Sequence, residues 1–117
     1  MKFKHTHYKF EREYPKLVRD RVPEIVKEKR FRAMKSDKEF LKYLLKKLIE
    51  ETTELQKAKK NFDEELADVF EILDTILKVK RKTKKGISLI QKKKHKARGG
   101  FAKRILMLRK SHSHARR

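Results

Sequence analysis

Two apolar stripes at helical spacing constrain this chain more than any other feature of its sequence. Leu41, Leu44, Leu45, Leu48, Thr52 and Leu55 recur every three or four residues, and Leu66, Val69, Phe70, Ile72, Leu73, Ile76 and Leu77 do the same. An α-helix turns by about 100° per residue, so each set lies along one side of a helix. No segment alternates apolar and polar residues long enough to make a strand. The expectation is an all-α fold in which helices over 37–60 and 62–80 form an antiparallel pair.

Local signals place further helices. Pro23 can open a short one, running to Lys29 with Ile25 and Val26 as its apolar side, because the first helical position needs no amide hydrogen. Residues 30–36 read as a loop, and Pro15 belongs to an extended lead-in. Ser36 with Glu39, Asn61 with Glu64 and Ser88 with Gln91 have capping-box spacing, in which two side chains satisfy each other's orphan amides. Gly99-Gly100 suits the end of the third of these helices. A last helical piece is expected over Phe101 to Leu108, and residues 109–117 read as a basic disordered tail after a single domain over 1–108.

Charge is unevenly distributed. The 117 residues carry a formal net charge of +20, with no acid after Asp74 and 17 Lys and Arg from Lys78 to Arg117. Such a field attracts polyanions. There is no cysteine, which excludes disulfides and thiolate metal sites. Met1 to Phe10 lacks the apolar run of a signal peptide, and no stretch reaches the roughly 18 apolar residues that read as a membrane span. A cytoplasmic protein without a membrane partner is expected.

Against that basic background, nine of the sixteen acids fall between residues 46 and 74. Helical spacing sets Glu51 at the edge of the first stripe with Glu54 one turn on, and Glu65 at the margin of the second with Asp68 one turn beyond. Glu50 projects from the opposite, wet face, Glu71 points away, and Asp74 lies on the other flank. If the helices pack antiparallel, the four carboxylates beside the stripes can converge. Like charges a few ångströms apart in a partly dry place would force some to take up protons, a penalty that a divalent cation removes. All-oxygen ligands point to Mg²⁺, with Mn²⁺ a substitute. Acids opposite lysines also suit an ordinary solvated helix surface.

Glu50-Glu51-Thr52-Thr53-Glu54 followed by Glu65-Leu66-Ala67-Asp68 resembles the EExxE…ExxD signature of the all-α nucleoside triphosphate pyrophosphatases, which include MazG-like proteins, dimeric deoxyuridine triphosphatases and phosphoribosyl-ATP pyrophosphohydrolases. "YPKLVRDRVPEIV" at 14–26 and "KARGGFAKRILM" at 96–107 are similar to the opening and closing blocks of a MazG-related, phosphoribosyl-ATP pyrophosphohydrolase-like branch, so the resemblance runs in order from about residue 14 to 108. It implies a MazG-like bundle completed as a homodimer or homotetramer. It implies Mg²⁺ ligation by Glu51, Glu54, Glu65 and Asp68, with Glu50 and Glu51 as the carboxylates close to catalysis. It also implies hydrolysis between the α and β phosphates of a nucleotide, giving a monophosphate and pyrophosphate. Arg19, Arg98, Lys103 and Arg104, in the flanking blocks, and Lys94, two residues before the second block, would meet the leaving phosphates, and Asp20 would hold Arg19 or touch the nucleotide.

A second reading rests on "KVKRKTKK" at 78–85 and "QKKKHKAR" at 91–98, dense enough in cations to contact a nucleic-acid backbone. With Phe101 the sole aromatic of that half, such binding would be independent of sequence. His5, His7, His112 and His114 offer only weak metal-ligand patterns.

Overall fold

The computed structural model describes residues 14–109. The expected disordered tail, apart from Arg109, and all four of those histidines lie outside these residues. The described chain is all-helical: α1 is Val22–Ile25, α2 Asp37–Lys57, α3 Phe62–Val79 and α4 Lys84–Arg98. The chain divides into two compact units, the first ending at Thr83 and the second starting at Lys84.

In the first unit, α2 and α3 pack against each other through the two apolar stripes. Their sense follows from what meets at each end. Asp37, the first residue of α2, is 3.9 Å from Arg81, just past the end of α3. At the other end, Glu51 of α2 meets Glu65 of α3 near the short 58–61 connection. The pair is therefore antiparallel. Leu44, Val69 and Ile72 are buried at the seam, and Val22 of α1 is buried as well. This is a small core, each such side chain contributing about 1.5–3 kcal/mol when removed from water. The stripes are wider than one partner helix covers: Leu45, Phe70 and Leu73 remain 46%, 56% and 40% exposed.

Helix ends depart from the sequence reading in instructive ways. At α2, Ser36 Oγ accepts the Glu39 amide at 3.1 Å as expected, but the Glu39 carboxylate does not reach back. It takes two hydrogen bonds from Arg32, at 2.6 and 3.3 Å, because a guanidinium fork outcompetes a neutral amide. At α3, Asn61 supplies no side-chain cap. Its amide nitrogen instead donates to Glu65 Oε2 at 3.0 Å, since a buried carboxylate gains more from the bond than a helix end open to water. The other end of α3 closes with Arg81 at φ 54°, its amide donating to the Lys78 carbonyl and that of Lys82 to Leu77. That is a Schellman closure with arginine where glycine is usual. Helix α1 ends at Ile25, short of Lys29; Val26 is extended, and one turn gains too few bonds to propagate. Val22 rather than Ile25 is its buried residue.

The second unit holds α4 and the segment after it. The helix begins at Lys84, not at Ser88, and takes Gly86 into its first turn, where amides need no intrahelical partner and glycine costs little. Gly99, at φ +80°, ends it as expected. Gly100 serves a different purpose, since a Cβ there would lie 3.0 Å from the His95 ring. The expected helix over 101–108 is absent: a turn at 101–103 leads into Arg104 at φ 56° and then irregular chain. A left-handed residue interrupts the helical path, and Ile105 to Leu108 are all at least 78% exposed. Among the described residues, no helix is long and apolar enough to cross a membrane.

Candidate metal centre

Glu51, Glu65 and Asp68 each offer a carboxylate oxygen within 4.8 Å of the others. The geometry follows from the antiparallel pair. Glu51 comes off the last two turns of α2, Glu65 off the first turn of α3, and Asp68 follows Glu65 by one turn on the same face. Glu51 and Glu65 are only 3% and 2% exposed, which excludes the solvated-surface reading for both. Burying carboxylates is costly unless charge and hydrogen bonds compensate.

Part of the compensation comes from the protein's own cations. Arg19 Nη2 donates to Asp68 Oδ1 at 2.7 Å. Lys47 Nζ stands 3.7 Å from Glu51 Oε2 and 3.4 Å from Glu50 Oε1, and Lys16 Nζ donates to Glu50 Oε2 at 3.4 Å. Asn61 serves Glu65. The lead-in thus binds both helices of the pair, Lys16 to α2 and Arg19 to α3.

Three of the four expected ligands are gathered here. Glu54 is half-buried but does not belong to the group of three. Glu50 is not on a wet face: its side chain is 24% exposed and held between two lysines. The error has a simple source, because the second of those lysines arrives from 34 residues upstream, where helix spacing is silent. Arg19 reaches the site, but its partner is Asp68 rather than Asp20, which is exposed. Lys94 and Arg98 line a concavity with Gly99, Gly100 and Phe101 in the second unit. Lys103 and Arg104 are exposed in that unit.

Sequence reasoning passed over Lys16, Lys47 and Asn61, which touch the carboxylates directly. The spacing of Tyr43, Lys46, Lys47 and Glu50, at i, i+3, i+4 and i+7, was a usable signal that these share a helix face.

The donor set, three hard oxygens without sulfur or imidazole, fits a divalent ion of the magnesium, calcium or manganese kind. Comparison with models of known protein families, with curated proteins and with solved structures finds no match for this chain.

Proposed function

We propose that the chain is a Mg²⁺-dependent nucleotide pyrophosphohydrolase of the MazG-like kind, cleaving a nucleoside triphosphate or a phosphoribosyl-ATP-like substrate to a monophosphate and pyrophosphate. The observation that carries this reading is the convergence of Glu51, Glu65 and Asp68 from two helices, two of them almost fully buried. A chain that pays the desolvation of two carboxylates beside a third has a use for their charge. The order of motifs from residue 14 to 108 supports the same reading.

Glu51, Glu65 and Asp68 would hold the ion, Mn²⁺ substituting for Mg²⁺. When bound it neutralises phosphate charge and makes a ligated water more acidic. A carboxylate not fully used in coordination, Glu51 of the expected catalytic pair, would accept the proton of a water attacking phosphorus, while the bond from phosphorus to the departing phosphate's oxygen breaks. Glu50, held by both Lys16 and Lys47, would position those two ammonium groups. Arg19, half-exposed and paired with Asp68, would exchange that carboxylate for a substrate phosphate. Glu54 is kept as a ligand only if its half-buried carboxylate turns toward the others on binding. The uncovered Leu45, Ile49, Phe70 and Leu73 fit assembly as a homodimer or homotetramer.

A second reading is favoured by α4, which carries seven Lys and Arg, no acid and no buried residue. Such a helix suits sequence-independent nucleic-acid binding.

One experiment tests both. Wild type, Glu65→Gln and Asp68→Asn are incubated with nucleoside triphosphates and Mg²⁺ or Mn²⁺. Wild type should release pyrophosphate, sediment as a dimer or tetramer, and melt several degrees higher with the ion. Glu65→Gln should lose turnover and the ion's effect, yet melt no lower than wild type without metal, because it relieves a buried like-charge contact. No turnover, no ion effect, and a Glu65→Gln variant destabilised by about 3 kcal/mol or more would make the cluster an internal ion-pair network. Salt-sensitive RNA binding indifferent to both changes would then leave the second reading.

A further inference from the structure

Beside the carboxylates, within the first unit, lies a cleft of about 310 Å³. One wall is the lead-in with Tyr14 and Lys16; the other is the face of α2 carrying Tyr43, Lys46, Lys47 and Glu50. Three lysines and one carboxylate therefore line it. That carboxylate, Glu50, is already held at 3.4 Å by both Lys16 and Lys47. Among the described residues, Lys46 makes no ion pair; its Nζ lies over the Tyr43 ring at 5.1 Å from the centroid.

The rings decide what such a cleft can take. A stacking site needs bare aromatic faces, but these are covered by cations. Lys46 and Lys42 lie over Tyr43, the latter at 5.5 Å, and Lys29 and Lys16 lie over Tyr14 at 5.1 and 5.8 Å. Cation–π contact is worth about 0.5–1 kcal/mol at exposed sites, enough to restrict where a flexible lysine points. Two of these lysines, Lys16 and Lys46, line the cleft, so the tyrosines act as rests that restrict ammonium groups at its border. That is preorganised positive charge, the chemistry that receives phosphate.

We propose that this cleft is the subsite for the leaving, pyrophosphate end of the substrate. The proposal rests on the pyrophosphohydrolase reading for the identity of the ligand, though not for the existence of the anion site. Lys47 lines the cleft and stands 3.7 Å from Glu51, so the cleft adjoins the carboxylate cluster directly. With a divalent ion at Glu51, Glu65 and Asp68 holding the scissile phosphate, the rest of the nucleotide would extend away from the cluster. The end with more negative charge goes to the cationic cleft, and the nucleoside goes elsewhere.

The test separates this proposal from catalysis. The full chain is titrated calorimetrically with inorganic pyrophosphate in the presence of a chelator, at fixed ionic strength, so that neither metal nor turnover is required. Lys46→Ala and Tyr43→Leu are compared with wild type. Lys42→Ala controls for a lysine that touches Tyr43 outside the cleft, and the double change Lys92→Ala with Lys93→Ala controls for the general basic field. Lys46→Ala should weaken pyrophosphate at least fivefold, Tyr43→Leu should weaken it less, and both controls should stay within twofold of wild type. Equal loss in the α4 control would show diffuse attraction to a +20 chain and overturn the proposal. So would unchanged affinity in Lys46→Ala with its thermal melt intact. A short single-stranded RNA is the third titrant: dependence on Lys46 as strong as that of pyrophosphate would make the cleft a nucleic-acid contact instead. If hydrolysis fails while Lys46-dependent pyrophosphate binding persists, the enzyme reading falls and the anion site stands.

Discussion

The helix pair α2–α3 and the basic helix α4 put charge to opposite uses. In the pair, lysines are interspersed with acids in α2 while α3 carries six acids before its one lysine, and folding sorts them: Glu51, Glu65 and Asp68 gather between the helices, with Lys16, Lys47 and Arg19 drawn in around this group and Glu50. In α4 there is nothing to sort. Every charged residue from Lys84 to Arg98 is basic or a histidine, all are exposed, and Ile87, Leu89 and Ile90 stay 42–60% exposed. The lesson concerns where function can be built. A buried constellation needs two elements fixed against each other, which the pair has. A helix that buries nothing can offer only a field to its surroundings.

The sharpest way to break this contrast is to remove a side chain from each region. Leu44→Ala, at a site 2% exposed, should destabilise the chain by about 2–5 kcal/mol and lower the melting temperature by ten degrees or more. Leu89→Ala in α4, 60% exposed, should change stability by less than about 0.5 kcal/mol. Chemical denaturation of both variants checks the pair of values. A large loss for Leu89→Ala would mean that α4 is stabilised by burial after all.

A smaller effect sharpens the comparison at helix ends. Both α3 and α4 close through a left-handed residue, but α4 uses Gly99 and α3 uses Arg81. The left-handed state costs a side-chain-bearing residue about 1–2 kcal/mol, partly offset in the exchange by the greater freedom of glycine when unfolded. Arg81→Gly should therefore raise stability by about 0.5–1 kcal/mol, read as a melting temperature a few degrees higher. A fall would show that the 3.9 Å contact of Arg81 with Asp37 outweighs the backbone strain.

The smallest effect lies at the start of α2. The hydrogen bond from Arg32 holds the Glu39 carboxyl below its ordinary value and raises the Arg32 guanidinium. A carboxylate depressed in the folded state adds stability above its unfolded value, and that stability is lost as pH falls through the folded one. Glu39 should accordingly titrate below free glutamate in an NMR pH series, and Arg32→Ala should return it upward. No change in Arg32→Ala would show that the Ser36 turn, not the guanidinium, sets its titration.

Much of the helix pair was legible because amphipathic spacing is local. Leu44, Val69 and Ile72 lie where the stripes put them, and Glu51, Glu65 and Asp68 meet as facing required. What escaped notice depends on distant chain. The burial of Glu50 needs Lys16 from the lead-in, and the failure of Asn61 as a cap needs a buried Glu65 to compete for its amide. The α4 start was misplaced because the Ser88 and Gln91 pattern satisfies a local rule that the helix did not use. The unwound 101–108 segment was misread for a related reason: apolar residues there suggest a helix face, but the left-handed Arg104 breaks it.

Lys47 has one consequence beyond its own contacts. A single ammonium is divided between Glu50 and Glu51, at 3.4 and 3.7 Å, and also borders the cleft. A divalent ion at Glu51 would compete for that carboxylate and turn more of the lysine's field toward an anion. Thermodynamic linkage then demands the converse, with the anion tightening the ion by the same factor. The two ligands would cooperate through one shared side chain, each binding weakly alone and better in the other's company.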